Sequence, residues 1–348
     1  MKILYASRLS PNDSALYRLW ALQRLGHTVV PFNLLDYLPR NALLRKLEHR
    51  AQMGPNVARL NRDILALAKS EKPDVFWADK LLSLQPATLE QMRAQRIPAV
   101  SYMIDNAFGP RRDPGWRLYM QCIPLFDLHA VQRDSNVADY TSHGAHNVIK
   151  IQTAFEPSVH FPPPAGFYPA SSPDSVRHRG VSFIGTPYDM RAPFLMRLWR
   201  DFKAPIVISG SEVWRKQLTP AVAAAIYTGG ELFGADYREA IWRSKINLSF
   251  LTHSNQDEFA HKSFEIAACA GFLLAERSAG HVARFHEDQE AVFFTGIEEC
   301  AAKIHRYLRD PAARDRIAAA GHARALRDGY DNDTQVRRIL NRLAEISI

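Results

Sequence analysis

Short apolar runs recur along the chain, and between them the apolar positions switch to a spacing of three and four. "KILYA" (Lys2 to Ala6) is the first run. A polar turn, "SRLSPNDS", follows. Then comes "ALYRLWALQRLG", in which Leu16, Leu19, Trp20, Leu22 and Leu25 fall at helical spacing and Gly26 stands where a helix ends. "HTVVPF", "PDVFWA", "AVSYMI", "LHAVQ" and "NVIKIQ" read as further strands. A charged helical stretch runs from about Asn41 to Ser70, and "LEQMRAQ" reads as a helix. Strands separated by helices require crossover connections, so the sheet is predicted parallel and helix-covered.

The pattern breaks at "HFPPPAGFYPASSPDS", His160 to Ser175, whose prolines cannot sit inside an element. It then restarts with strands "GVSFIG", "PIVISG", "INLSFL", "FLLAE" and "AVFF", alternating with helices such as "APFLMRLWRDF" and "ADYREAIWRSK". The expected organisation is α/β, with two doubly wound Rossmann-like domains. Residues 1–162 form the first, 163–174 a Pro-rich linker and 175–330 the second. A last helix, about 331–348, packs back on the first domain. A length of 348 residues is more than one core usually serves, which agrees. In open α/β sheets ligands sit beyond the carboxyl ends of the strands, so residues just after each strand are the site candidates.

In the second domain these are Gly185 and Thr186 after "VSFI", with Arg191 at the next helix start, and Gly210 after "IVIS". The densest set follows "INLSFL": Asp257, His261, Lys262, Ser263, Phe264 and Glu265, where loop gives way to the helix "KSFEIAACA". Free N–H groups and the dipole make a helix start an anion site. Lys262 adds a point charge for a phosphate, and Glu265 would suit ribose hydroxyls. The competing reading is that Glu265 only stabilises the helix start. His253, His261 and His281 also lie near strand ends, where a lone histidine is more often a hydrogen-bonding group than a catalyst. In the first domain, Ser10, Asn12 and Ser14 follow the first strand, and Arg18 lies a turn into the helix, either reaching a diphosphate or solvated. Asp105 ends "YMID" and is the candidate base or hydroxyl ligand of the first domain, against a turn-forming Asp-Asn pair. Asp79 is a weaker alternative. "DND", Asp331 to Asp333, reads as helix N-capping rather than a metal motif, and no metal is expected.

"SNQDEFAHKSFEIAACAGFLLAE" resembles the donor-nucleotide segment of group-1 glycosyltransferases, and most closely their spore-maturation CgeB-like branch. "ALYRLWALQRLGHTVVPF", "GVSFIGTPYDMRAPFL" and "YLRDPAARDRIAAAGHARAL" carry weaker likeness. The resemblance implies a GT-B fold, two Rossmann-like domains facing across a cleft, with the sugar nucleotide held mainly by the second. By motif, Glu265 corresponds to the second acid of a Glu-x7-Glu signature, on the ribose. Asp257 takes the place of the first, near the transferred sugar, and Lys262 stands where the branch usually has Arg, on the diphosphate. The implied activity is metal-independent transfer of a sugar from a nucleoside-diphosphate donor, most commonly a UDP-sugar, with no further cofactor. The acceptor is unassigned: glycan, protein, lipid or small molecule. Alternatives are a non-catalytic binding or assembly protein of the same fold, a nucleotide-sugar epimerase, and a nucleic-acid glucosyltransferase.

Charge bears on the last of these. The net charge is +8 and the pI near 9.4, which suits anionic partners. The arginines are scattered among "RRDPGWR", "RHRG" and "RRILNR", without aromatic interleaving, which disfavours nucleic acid. Cys122, Cys269 and Cys300 follow no metal-ligand spacing and fit a reducing compartment. No apolar run is long enough for a membrane span or signal peptide, so a cytoplasmic location is expected.

Overall fold

The computed structural model describes residues 1–11, 13–110, 113–170 and 172–346. The chain divides into two compact units, one of Met1–Gln152 with the segment from Asn332 onward, the other of Thr153–Asp331. Each is built on an all-parallel sheet. In the first unit β1 (Lys2–Ser7), β2 (Thr28–Asn33), β3 (Val75–Asp79), β4 (Ala99–Tyr102), β5 (Leu128–Val131) and β6 (Val148–Lys150) lie in the order β2-β1-β3-β4-β5-β6. In the second, β7 (Arg179–Ile184), β8 (Ile206–Ser209), β9 (Ser244–Ser249), β10 (Leu273–Glu276) and β11 (Val292–Phe294) lie in the order β11-β10-β9-β7-β8. Every strand expected from the apolar runs forms.

The runs are continuously apolar because both sheet faces are covered. Alternate residues of β1 serve opposite faces: Ile3 and Tyr5 pack with Leu19 and Leu22, while Leu4 and Ala6 pack with Leu60, Ile64 and Leu89. In the second sheet Phe183, Ile208 and Leu248 share one core and Ile184, Leu273 and Ala275 the other. Strand order reverses between β1 and β3 and again between β7 and β9. Crevices open at such points, because the connections on either side depart in opposite directions.

Three boundaries differ from the expectations. The charged stretch from Asn41 to Ser70 is two helices, Ala42–Ala51 and Pro55–Glu71, separated by Gln52 in the left-handed conformation (φ 50°). Pro55 starts the second, since its ring cannot lie within a helix but suits a first turn. The units divide between Gln152 and Thr153, ahead of the Pro-rich segment. That segment belongs to the second unit: Phe167 packs edge-on to Trp242 with ring centroids 5.2 Å apart, the Tyr168 hydroxyl donates to the Trp242 carbonyl at 2.7 Å, and Asp174 accepts from Arg314 at 2.6 Å.

The last helix, Asn332–Ile346, is part of the first unit. Val336, Ile339, Leu340 and Leu343 cover Leu19 and Leu22, and Asp333, in its first turn, pairs with Arg24. Among the described residues no helix is long and apolar enough to cross a membrane.

Candidate functional site

An open pocket of about 300 Å³ lies in the second unit at the β7/β9 reversal. Its lining comes from the ends of three strands and the segments that follow. Gly185, Thr186, Tyr188 and Arg191 follow β7, Gly210 follows β8, and Thr252, Asp257, His261 and Lys262 follow β9. Glu231, Leu232 and Phe233, just before the helix Gly234–Trp242, close another side.

Gly210 makes the close approach possible. A Cβ there would lie 2.1 Å from the Gly185 carbonyl oxygen and 2.8 Å from Trp214 Nε1. The Trp214 indole donates to that same carbonyl at 2.7 Å, so the turns after β7 and β8 are locked together. Arg191 ties the β7 turn to the end of β9. Its guanidinium donates to the Thr186 carbonyl at 3.1 Å, to the Leu251 carbonyl at 3.0 Å and to Thr252 Oγ1 at 3.0 Å. Burial lowers its pKa, and its buried Nε has no partner among the described residues.

The helix His261–Ala268 begins one residue before the expected start at Lys262, with Ser263 in its first turn, and its N-cap, Ala260, has no side-chain acceptor to offer. The first N–H groups of a helix have no partner within it. The Ser263 N–H turns back to the Ala260 carbonyl at 3.1 Å, leaving those of His261 and Lys262 without a partner among the described residues. The Lys262 ammonium lies 4.6 Å from the centre of the Tyr237 ring, a cation over an aromatic face. Burial lowers its pKa, Glu265 opposes that shift and Arg191 reinforces it.

Beneath this helix start is a buried polar support. His281 Nδ1 donates to the Glu276 carbonyl at 2.8 Å, which fixes the neutral tautomer with Nε2 as acceptor. Nε2 takes the Ala260 N–H at 3.1 Å and lies 2.9 Å from Ser263 Oγ, itself 2.9 Å from Ser249 Oγ. Burial pushes the His281 pKa down to about 4.

The structure separates the sequence candidates. Gly185, Thr186, Arg191, Gly210, Asp257, His261 and Lys262 line one pocket. Ser263 and Phe264 do not: both are fully buried, Ser263 in the His281 support and Phe264 among Phe259, Phe285 and Tyr330. Glu265 stands one layer behind the lining. Tyr237 donates to its Oε2 at 2.7 Å, and His261 Nε2 lies 3.2 Å from Oε1. Burial would raise the Glu265 pKa, but His261, His160 and Lys262 outweigh it and hold the carboxyl well below its usual range. His160 and Tyr237 were missed because they are distant in sequence, and Glu231, Leu232 and Phe233 because no strand immediately precedes them.

In the first unit, Arg18 is neither solvated nor open to a ligand. Its guanidinium is buried against Asp79, with Nε–Oδ2 at 2.6 Å and Nη2–Oδ1 at 3.0 Å, and stacks 4.2 Å from the Tyr102 ring centre. This also removes Asp79 as a base. Ser14 Oγ accepts from Arg18 at 3.3 Å, and Asp105 is paired with Lys80 at 2.6 Å. Asn12 lies outside the described residues. Among those residues no group of three or more His, Cys, Asp or Glu side chains is arranged to hold a metal ion.

Residues 191–341 match a family model described as glycosyl transferase-like. The structure superposes on HepE of Anabaena in complex with UDP-glucose with a TM-score of 0.69 at 14% identity, covering 99% of this chain and 100% of that one. The fold is GT-B. Sucrose-phosphate synthase from Thermosynechococcus elongatus gives a TM-score of 0.70 at 12% identity, covering 99% of each chain. A glycosyltransferase from Rickettsia africae gives 0.68 at 11%, covering 99% of this chain and 98% of that one. No curated protein matches the sequence.

Proposed function

We propose that this GT-B chain is a glycosyltransferase whose second unit binds a nucleoside-diphosphate sugar, with UDP as the nucleotide. The observation that carries this reading is the meeting of the uncapped start of His261–Ala268 with the Lys262 ammonium at one pocket wall. A diphosphate accepts from the free N–H groups and relieves the charge penalty of the half-buried lysine. Those donors stabilise the same diphosphate as it leaves with negative charge, so the step needs no metal. Asp257, held by Asn255 at 2.8 Å, is assigned to the sugar. Glu265 keeps 12% of its side chain accessible and, as a carboxylate with about four acceptor positions, has room for a ribose hydroxyl beside Tyr237 and His261. The complex of HepE with UDP-glucose supports the choice of nucleotide.

The test is thermal stabilisation by UDP-, GDP- and dTDP-sugars. A donor at about 100 times its Kd should stabilise by roughly 2.7 kcal/mol. Lys262→Ala removes a charge-assisted phosphate contact worth about 1.5–3 kcal/mol, so affinity should fall roughly 10- to 100-fold. Unchanged affinity in the variant, or no response to any donor, would overturn the assignment.

A further inference from the structure

The helix Ala42–Ala51 inverts the usual pattern of a surface helix. The only buried residue in its length is a charged one, Glu48, which accepts from Asn56 at 3.0 Å, while its leucines face outward. Leu43 is 67%, Leu44 44% and Leu47 56% exposed, and Leu38 and Met53, also exposed, flank the helix in sequence. Scattered exposed leucines are ordinary; a contiguous cluster is not. Leu43 and Leu47 are one turn apart, with Leu44 and Ala51 beside them, so all four share a stripe. Lys46 and Arg50 run along its edge, with Arg40 and Arg45 nearby, and none of these four forms an ion pair among the described residues.

The helix is held without using those leucines. Asn41 caps it by accepting from the Leu43 and Leu44 N–H groups, His49 Nε2 lies 2.8 Å from Asp113, and Gln52 accepts from the Leu118 N–H at 2.6 Å. The apolar stripe is therefore a preformed platform rather than a consequence of fraying.

We propose that this stripe seats the first unit on an anionic lipid surface. Ten residues span roughly 15 Å, half a hydrocarbon core, so the helix lies in the interface rather than crossing it. Leucines enter the headgroup boundary while the neighbouring lysine and arginines meet lipid phosphates. A second copy of the chain is the poorer occupant, because a two-fold contact sets the same four cations against each other.

The test is co-sedimentation of the full chain, without nucleotide, with vesicles of phosphatidylcholine alone or mixed with phosphatidylglycerol. Binding should be confined to the anionic vesicles and weaken with salt. The double variant Leu43→Asp with Leu47→Asp should bind at least about tenfold more weakly while melting at the same temperature as the wild type. Equal binding by the variant, or no binding to either vesicle, would overturn the proposal. So would a wild-type dimer in sedimentation velocity that the variant abolishes while vesicle binding is unchanged. Failure here leaves the donor site untouched, since that is read by nucleotide binding.

Discussion

Between about pH 6.5 and pH 4 the folded protein should lose stability steeply, and the second unit more steeply than the first. Burial lowers the pKa of His129, His160 and His281 from 6.5 to about 4. Each is neutral by construction. His129 Nε2 donates to the Ile123 carbonyl at 2.9 Å, His160 Nδ1 accepts from the Glu156 N–H at 3.1 Å, and His281 is bonded on both ring nitrogens. As the pH falls through 6.5, an unfolded chain takes up protons that the folded chain refuses until about pH 4. Stability is thus fully present above 6.5 and lost across that window, at up to about 1.4 kcal/mol per pH unit for each histidine.

From pH 7 to pH 5 this is roughly 2 kcal/mol per histidine. One of the three lies in the first unit and two in the second. Glu265, whose pKa is depressed on folding, adds destabilisation in the same direction at lower pH. Calorimetric melts at fixed ionic strength should resolve the difference, and His281→Gln should flatten the dependence for the second unit. Equal stability at pH 7 and pH 5 would mean that these imidazoles are not held neutral.

Asp79→Ala should destabilise the first unit by about 3–5 kcal/mol, because it leaves the Arg18 guanidinium buried without its counter-charge. Both partners are almost completely inaccessible, at 4% and 0%. Asp79 also accepts from the Tyr5 hydroxyl at 2.5 Å, although Tyr5 additionally reaches the Ala15 carbonyl at 2.8 Å. Replacing both charges, Arg18→Met with Asp79→Leu, should be milder than the single change, since no unpaired ion remains. Urea denaturation of the three proteins reads the comparison. A single variant less damaging than the double one would show that the pair is not desolvated as its exposure indicates.

The sequence disclosed what depends on local order. Ile3 to Ala6 and Val75 to Ala78 read as strands because burial on both faces demands unbroken apolar runs. The pocket-lining Gly185, Gly210 and Lys262 were legible from strand ends alone. Other features were set by partners far along the chain. Arg18 looked like a surface arginine because Asp79 is 61 positions away, and the contact that sets Glu265 just behind the pocket lining was hidden because Tyr237 lies 28 positions earlier. The helix His261–Ala268 starts one residue before the expected Lys262, because alanine at its N-cap gives no signal. The prolines of 163–174 were read as a linker, yet proline excludes regular elements without saying which core the segment joins; Phe167 and Asp174 decide that through Trp242 and Arg314.

The chain leaves its first unit after Gln152 and returns to it at Asn332. Cutting the gene at the boundary would therefore not yield an independent half: a fragment ending at Gln152 presents Leu19, Leu22 and Val100 to water where Ile339 and Leu343 had shielded them. Isolating that half calls for a rearranged gene, with the terminal fifteen-residue helix spliced directly onto the shortened front portion.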